Sequence, residues 1–293
     1  MLPHASLVEN YGAPATSCYG PGMLSELHRE ALARDGYTVI SGLVPDDLLG
    51  PAREVITAFV HAELDRPETW YRHDPLEWSI VPVHQAQAFW DIRQSPAVHG
   101  AFAELYGTER LWVSMDRGVF KVPLSKKHPA HVDESVLHWD ADPRRATSYT
   151  YQGMLFLTDV GCGEGAFECV PSIFRNLEQY FVAHPGPAVD APVHSAGYDV
   201  VQVPARAGDL VVWSSRLPHH GGRNHGQRPR LSMALAMRPE GSEDQRSHRV
   251  ECWQQRRAPR WWRGWRGQID PEPGPPARLT PLGRRLLGVD RWP

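Results

Sequence analysis

In the stretch MLSELHREALARDGY the apolar positions from Leu24 to Ala33 recur at helical spacing, so the segment reads as a short helix. Ser25 stands at its N-cap and Gly36 just past its end. A strand from Tyr37 to Ile40 follows. Pro45-Asp46-Asp47 then opens a second helix running to about Leu64, with Leu48, Leu49, Ala52, Val55, Ile56 and Phe59 on one face. A third helical stretch spans about Ser95 to Tyr106 and stops at Gly107, after which LWVSMDRGVFKV reads as one or two strands. From Val136 onward the pattern changes to short β-rich runs punctuated by Gly, Pro and Asp: TSYTYQGMLFLTDV, GAFECV, YDVVQVPA, GDLVVWSS and RLSMALAMRP. Strands that recur without long helices between them argue against a parallel doubly wound sheet and for an antiparallel jelly roll. The expected fold is therefore mostly β with flanking helices, a jelly-roll core packed by the N-terminal helices. We expect one domain over residues 1–293, with helical support over about 21–110, the jelly-roll core over about 111–240 and a C-terminal extension over about 241–293.

Composition narrows the partners. A formal net charge of −3 makes the average surface neither a basic nucleic-acid footprint nor an acidic tail. No apolar run approaches the ~18 residues that span a bilayer. The first 25 residues lack the basic start and apolar middle of a secretory leader. These features point to a cytoplasmic protein with no nucleic-acid or membrane partner. Cys18, Cys162, Cys169 and Cys252 lack the paired spacing of a zinc site and read as free thiols in a reducing compartment. The segment CWQQRRAPRWWRGWRG could be taken for a nucleic-acid patch. The plainer reading packs Trp253, Trp261, Trp262 and Trp265 onto the barrel with the arginines turned outward, and closes the chain with a short helix near Leu282 to Leu287.

Fifteen histidines supply a pool for metal chemistry. Two histidines and one carboxylate on one face of an iron(II) leave open positions for a bidentate cosubstrate and dioxygen. On a strand, residues i and i+2 share a face, so His138 and Asp140 in LHWDADP can both point into a barrel while Trp139 points out. A second H-x-D lies upstream at His131-Val132-Asp133, but its approach, KKHPAH, is polar and broken by Pro129, whereas Val136-Leu137 lead into His138. Downstream, GDLVVWSSRLPHHGGRNHGQRPRLSMALAM delivers His219 and His220 from an apolar strand and starts another strand at an arginine. Leu231, Met233, Leu235 and Met237 would take one face of that strand, leaving Arg230, Ser232, Ala234 and Ala236 on the other. An inward guanidinium beside small residues is suited to grip a carboxylate bidentately.

At these residues the chain resembles the phytanoyl-CoA dioxygenase family of Fe(II)/2-oxoglutarate-dependent oxygenases. The resemblance runs from DGYTVISGLVPDDLL, through LHWDADP and the LTDV strand end, to an H-x-x-G-x-N segment followed by R-P-R. In that family the distal ligand opens H-x-x-G-x-N, here His219-His220-Gly221-Gly222-Arg223-Asn224, which implies His219 rather than His220. The cosubstrate arginine closes R-P-R, which implies Arg230 rather than Arg228. The resemblance further implies a double-stranded β-helix in which His138, Asp140 and His219 hold Fe(II). There 2-oxoglutarate chelates the iron, with its far carboxylate on Arg230. Dioxygen is consumed, succinate and carbon dioxide leave, and a substrate C–H bond is oxidised. Because Asp140 stands where halogenating relatives carry a small residue, hydroxylation is implied over chlorination; desaturation, epoxidation and cyclisation share the same oxidant. The chain departs from the family where the usual N-G…P-G-S-H stretch is Glu164-Gly165…Pro171-Ser172-Ile173-Phe174, and where a hydroxyl residue two after the distal histidine is Gly221.

Further candidates are Lys121, for the cosubstrate, and Trp139, Gln152 and Trp213, for the substrate pocket; core packing is the competing role for the aromatics. Asp209 in A-G-D-L reads as a turn residue. The sequence thus favours an oxygenase of a small organic molecule, of open oligomeric state, over a non-catalytic jelly-roll sensor of iron and 2-oxoglutarate. A nucleic-acid-binding role for the Arg/Trp tail comes third.

Overall fold

The computed structural model describes residues 22–131, 136–145, 147, 149–189, 191–262, 264 and 267–293, and of Trp261 the backbone alone. The first helix, α1, spans Glu26–Asp35. Its cap is reciprocal: the Ser25 hydroxyl accepts from the His28 N–H, and the His28 ring accepts from the Ser25 N–H, so a histidine does the work of the usual Glu or Gln. Gly36 ends it in the left-handed region, and a Cβ there would lie 2.8 Å from the Phe174 ring, so both conformation and packing require glycine. Next come β1 (Tyr37–Ile40) and α2 (Asp46–Val60). The second helix stops four residues before the expected Leu64 because His61 turns left-handed and the following segment is captured elsewhere. The Thr69 hydroxyl accepts from the Glu63 N–H, and the Trp70 indole donates to the Glu63 carbonyl.

Beyond it lie β2 (Ile80–Val81), α3 (Gln87–Arg93), α4 (Pro96–Tyr106), β3 (Leu111–Val113), β4 (Gly118–Lys121), β5 (Tyr151–Phe156) and β6 (Phe167–Cys169). Two short helices, α5 (Pro171–Arg175) and α6 (Leu177–Ala183), precede β7 (Val201–Val203), β8 (Leu210–Ser214), β9 (His219–Gly221), β10 (Arg230–Ala234) and β11 (Met237–Pro239). The chain closes with α7 (Glu243–Gln254) and α8 (Pro281–Leu287), the latter where the sequence places it. Eight α-helices among the described residues outweigh the strands, so the architecture is mixed α/β with antiparallel sheets, a correction to the mostly β expectation. The helices that pattern reading missed are short, as α3, α5 and α6 are, or polar nearly all round, as EDQRSHRVECWQ of α7 is.

One sheet orders its strands β1-β8-β5-β10-β4-β2, a second β7-β6-β9, and β11 pairs with β3. Strand alternation sorts the large sheet into two faces. Leu155, Leu210, Val212, Leu231, Met233 and Phe120 pack outward against Ile56, Phe89 and Phe102 of the helices. Phe156, Val211 and Trp213 point the other way, onto Phe167 and Val203 of the three-stranded sheet. Being covered on both sides, β8 reads as the continuous run LVVW. The inner face turns polar at both ends: Gln152 stands beside Trp213 at one, and Lys121, Arg230 and Ser232 lie toward the other.

The C-terminal extension is stapled down by arginines rather than only fringed by them. Arg249, buried, donates to the carbonyls of Val113, Leu286 and Leu287. Arg256 turns inward to the Gln85 and Pro275 carbonyls, while Arg257 and Arg260 face outward as the sequence suggests. Trp253 and Trp262 pack inward, with Arg117 over the Trp262 ring; the Trp261 side chain and Trp265 lie outside the described residues. Replacing Arg249 by leucine leaves three buried carbonyls without their donor. The variant is expected to lose about 3 kcal/mol in urea unfolding, and a loss under about 0.5 kcal/mol, the scale of an ordinary surface substitution, would show that the staple is not structural.

Candidate metal centre

Three donor side chains meet where the loop after residue 136 touches β9. His138 and His219 exchange two backbone hydrogen bonds of 3.0 Å, each N–H donating to the other's carbonyl. His138 is therefore held by a single bridge and not by the strand that its spacing suggests. The chain turns away at once at Asp142-Pro143, where Asp142 accepts from the Arg144 N–H. Trp139 still points opposite to the two ligand candidates, but into a satellite core and not to solvent. It packs on Tyr180 and Phe181, and its indole donates to the Arg216 carbonyl.

The donor atoms of His138, Asp140 and His219 all lie within 4.8 Å of one another. Asp140 Oδ1 is 3.6 Å from His138 Nε2, and Oδ2 is 3.3 Å from His219 Nε2. Donors about 2.1 Å from a common ion and at right angles are about 3 Å apart, so the set fits one divalent metal with little movement. Each imidazole is turned for it. His138 Nδ1 lies 2.8 Å from the Val136 carbonyl and His219 Nδ1 3.0 Å from that of Leu217; a carbonyl only accepts, so Nδ1 carries the hydrogen and Nε2 faces the cluster. His219 is buried against the Trp213 and Phe167 rings, whereas the His138 and Asp140 side chains are 41% and 51% exposed, so the centre opens on that side.

Electrostatics keep the Asp140 carboxylate charged. Desolvation by the atoms crowding Asp140 raises its carboxyl, but hydrogen bonds from His138 and His219 outweigh it and hold the group well below the usual carboxylate range. Desolvation pushes the His138 ring down, and the Asp140 hydrogen bond and charge more than reverse that, leaving it above its ordinary value.

A second cluster lies beside the first. Arg230 and Lys121 are directly opposite in the β10/β4 register, both inward and only 3% and 2% exposed. Lys121 Nζ donates to the Gly221 and Gly222 carbonyls at 2.8 Å, which excludes a solvent-facing strand-edge lysine. A Cβ at Gly221 would stand 3.0 Å from Lys121 Nζ and 3.6 Å from Arg230 Nη2, so the missing side chain keeps that space open. Gly221 and His219 share a face of β9, about 7 Å apart along the strand. Asn224 clamps the turn: its amide donates to the Lys121 and Arg228 carbonyls.

Of the other sequence candidates, Gln152 and Trp213 reach the cluster: the Gln152 amide donates to Asp140 Oδ2 at 2.6 Å and accepts from the Trp213 indole at 3.1 Å. Trp139 does not reach it. His220 pairs instead with Glu168 at 2.8 Å, and hydrogen bonding by His220 lowers the Glu168 carboxyl. Glu168 was missed by sequence reading, although its position between Phe167 and Cys169 in a short alternating strand was a signal. Of the upstream H-x-D, Val132 and Asp133 lie outside the described residues. His131 sits in a ring cluster with Tyr71 and His73, its Nε2 on the His73 carbonyl. Ile173 and Phe174, in place of the family's polar loop, serve packing: Ile173 in the Trp139 satellite core, Phe174 on Gly36. Asp209 accepts from the Gly42 and Arg206 N–H groups, the turn role expected of it.

Three side chains that could hold one metal ion thus meet beside facing antiparallel sheets. The model of the phytanoyl-CoA dioxygenase family matches residues 32–232, and the chain belongs to that family, whose members are oxidoreductases using iron, 2-oxoglutarate and dioxygen. Solved structures share the fold at low identity. The epimerase SnoN in complex with Fe3+, alpha ketoglutarate and nogalamycin RO is 21% identical with a TM-score of 0.53, over 73% of this chain and 83% of that one. HygX from Streptomyces hygroscopicus with nickel and 2-oxoglutarate bound is 15% identical with a TM-score of 0.52, over 75% and 88%. A hypothetical protein from Escherichia coli, JW0805, is 17% identical with a TM-score of 0.61, over 90% and 82%. No curated protein matches the chain. No helix among the described residues is long and apolar enough to cross a membrane.

A metal ion binds neutral imidazole, and the His138 ring holds its proton above the ordinary value of about 6.5. Metal uptake is therefore expected to release protons, with affinity climbing as pH rises through the raised His138 value. In calorimetric titrations over roughly pH 6–8, a flat affinity would remove His138 from the ligand set.

Proposed function

We propose that the protein is an Fe(II)- and 2-oxoglutarate-dependent dioxygenase that hydroxylates an unactivated C–H bond of a small organic molecule. In this reading His138, Asp140 and His219 hold the iron, and Arg230, assisted by Lys121, receives the far carboxylate of 2-oxoglutarate. The observation that carries it is the convergence of two imidazoles and one carboxylate within 4.8 Å, beside a buried pair of cations across a glycine gap. Bound iron, with 2-oxoglutarate and dioxygen, supplies an oxidant able to break a C–H bond as succinate and carbon dioxide are released.

The chain's own part is placement. The Leu217 and Val136 carbonyls aim both imidazoles, and Asp140 contributes a charged ligand at the position that a small residue would leave to a halide. Like charges facing each other across a strand pair repel, so the Lys121/Arg230 pair favours an anion between them; Glu168 meets part of that need at Lys121. Arg230 suits a carboxylate through its forked donors. The exposed sides of His138 and Asp140 mark the approach for the substrate. We further propose that the two facing sheets form the halves of a double-stranded β-helix, in one domain spanning the chain, and that Cys162, Cys169 and Cys252, all free thiols, belong to a reducing cytoplasm.

The test is anaerobic addition of Fe(II) and then 2-oxoglutarate to the folded protein, which is expected to give a weak visible charge-transfer band; its absence in metal-loaded protein overturns the reading. Succinate release that rises with members of a substrate library separates turnover from mere binding. Arg230→Ala is expected to raise the 2-oxoglutarate requirement by ~2–5 kcal/mol while metal affinity holds. An unchanged requirement would move the cosubstrate carboxylate elsewhere.

A further inference from the structure

Asp140 is the donor with the weakest backbone support. His138 and His219 are pinned to each other by paired backbone hydrogen bonds, whereas Asp140 lies two residues beyond that bridge, in a bend, with its side chain half exposed. A carboxylate so placed can swing unless a side chain holds it, and one does. Gln152 of β5 reaches Asp140 Oδ2 with its amide N–H at 2.6 Å. Directly opposite Gln152 in the β5/β8 register stands Trp213, whose indole N–H donates to Gln152 Oε1 at 3.1 Å.

Hydrogen-bond chemistry allows this chain one polarity. An indole N–H can only donate and an ionised carboxylate can only accept, so the Gln152 carbonyl must face Trp213 and its NH2 must face Asp140. Trp213 is itself fixed, buried with its ring 4.6 Å from Phe167 and 4.8 Å from His219, centroid to centroid. The strut thus starts in the core between the sheets and ends on a ligand candidate. The same indole ring packs on the His219 imidazole, so one aromatic side chain braces two of the three donors.

We propose that Gln152, oriented by Trp213, is a positioning residue for the metal centre: it holds Asp140 Oδ2 and leaves the other carboxylate oxygen to the ion. This rests on the reading of His138, Asp140 and His219 as the iron site. Such outer partners typically change metal affinity by about 10- to 100-fold when removed.

Co(II), whose visible bands report the ligand set, is the probe. It is titrated into wild type, Gln152→Leu, Trp213→Phe, the double variant and Asp140→Ala, against a competing chelator, with the melting temperature of each metal-free protein measured alongside. Gln152→Leu is expected to weaken Co(II) binding about 10- to 100-fold and shift the bands while the metal-free protein melts within a few degrees of wild type. Trp213→Phe should weaken it less, and the double variant should lose no more than Gln152→Leu, because phenylalanine keeps a ring against His219 and removes only the indole N–H that acts through Gln152. Where leucine fails to fold, Gln152→Met keeps the shape without the amide and carries the same expectation. Wild-type affinity and bands in the Gln152 variant, or additive losses in the double variant, overturn the positioning role. If Asp140→Ala also binds Co(II) as wild type does, the metal reading falls with it; if Asp140→Ala alone loses binding, only the positioning proposal falls.

Discussion

The centre depends on two backbone hydrogen bonds, exchanged between His138 and His219, that tie a loop to the edge of the three-stranded sheet. Through them residues 81 positions apart in sequence share one geometry, and everything else at the centre is arranged around that contact. The ring nitrogens facing away from the cluster are spent on the carbonyls two residues back in each segment, which leaves the other nitrogen of each ring toward Asp140. A loop, not a strand, carries two of the three donors, and the sheet inner face supplies the missing rigidity through Gln152 and Trp213.

Charge is organised along the same inner face. Lys121 and Arg230 sit side by side in register with almost no exposure, an arrangement that is costly without anions or carbonyls to meet it. The Gly221 and Gly222 carbonyls and nearby Glu168 answer for the lysine, and Gly221 keeps the space between lysine and arginine empty of side chain. A side chain at position 221 would crowd the ammonium, because its Cβ would stand 3.0 Å from Lys121 Nζ. Gly221 therefore belongs with the buried lysine as one solution, and Asn224 holds the turn that carries it.

Away from the site, the departures from the family pattern explain themselves as packing. Ile173 and Phe174 bind the segment after β6 to the satellite core and to the end of α1, and Arg175 pairs with Asp35 at the same junction. The Arg/Trp-rich tail is likewise a wrap, held by Arg249 and Arg256 on backbone carbonyls, with Trp253 and Trp262 turned inward.

What the sequence determined by itself follows from local chemistry. The limits of β1, the ends of α1 and α4 and the position of α8 were legible because caps and periodicity act over a few residues. His138, Asp140 and His219 were legible as a group because their residue types and the motif around His219 survive translation into sequence, and so was the inward face of Arg230. Tertiary structure alone decided the rest. It decided that His138 hangs on one bridge, that Trp139 leaves the site while Gln152 joins it, that Glu168 takes His220, and that helix outweighs strand. Each of these depends on which distant segment supplies a partner, and a hydrogen bond or a packing contact across many residues leaves no periodic trace in the chain that makes it.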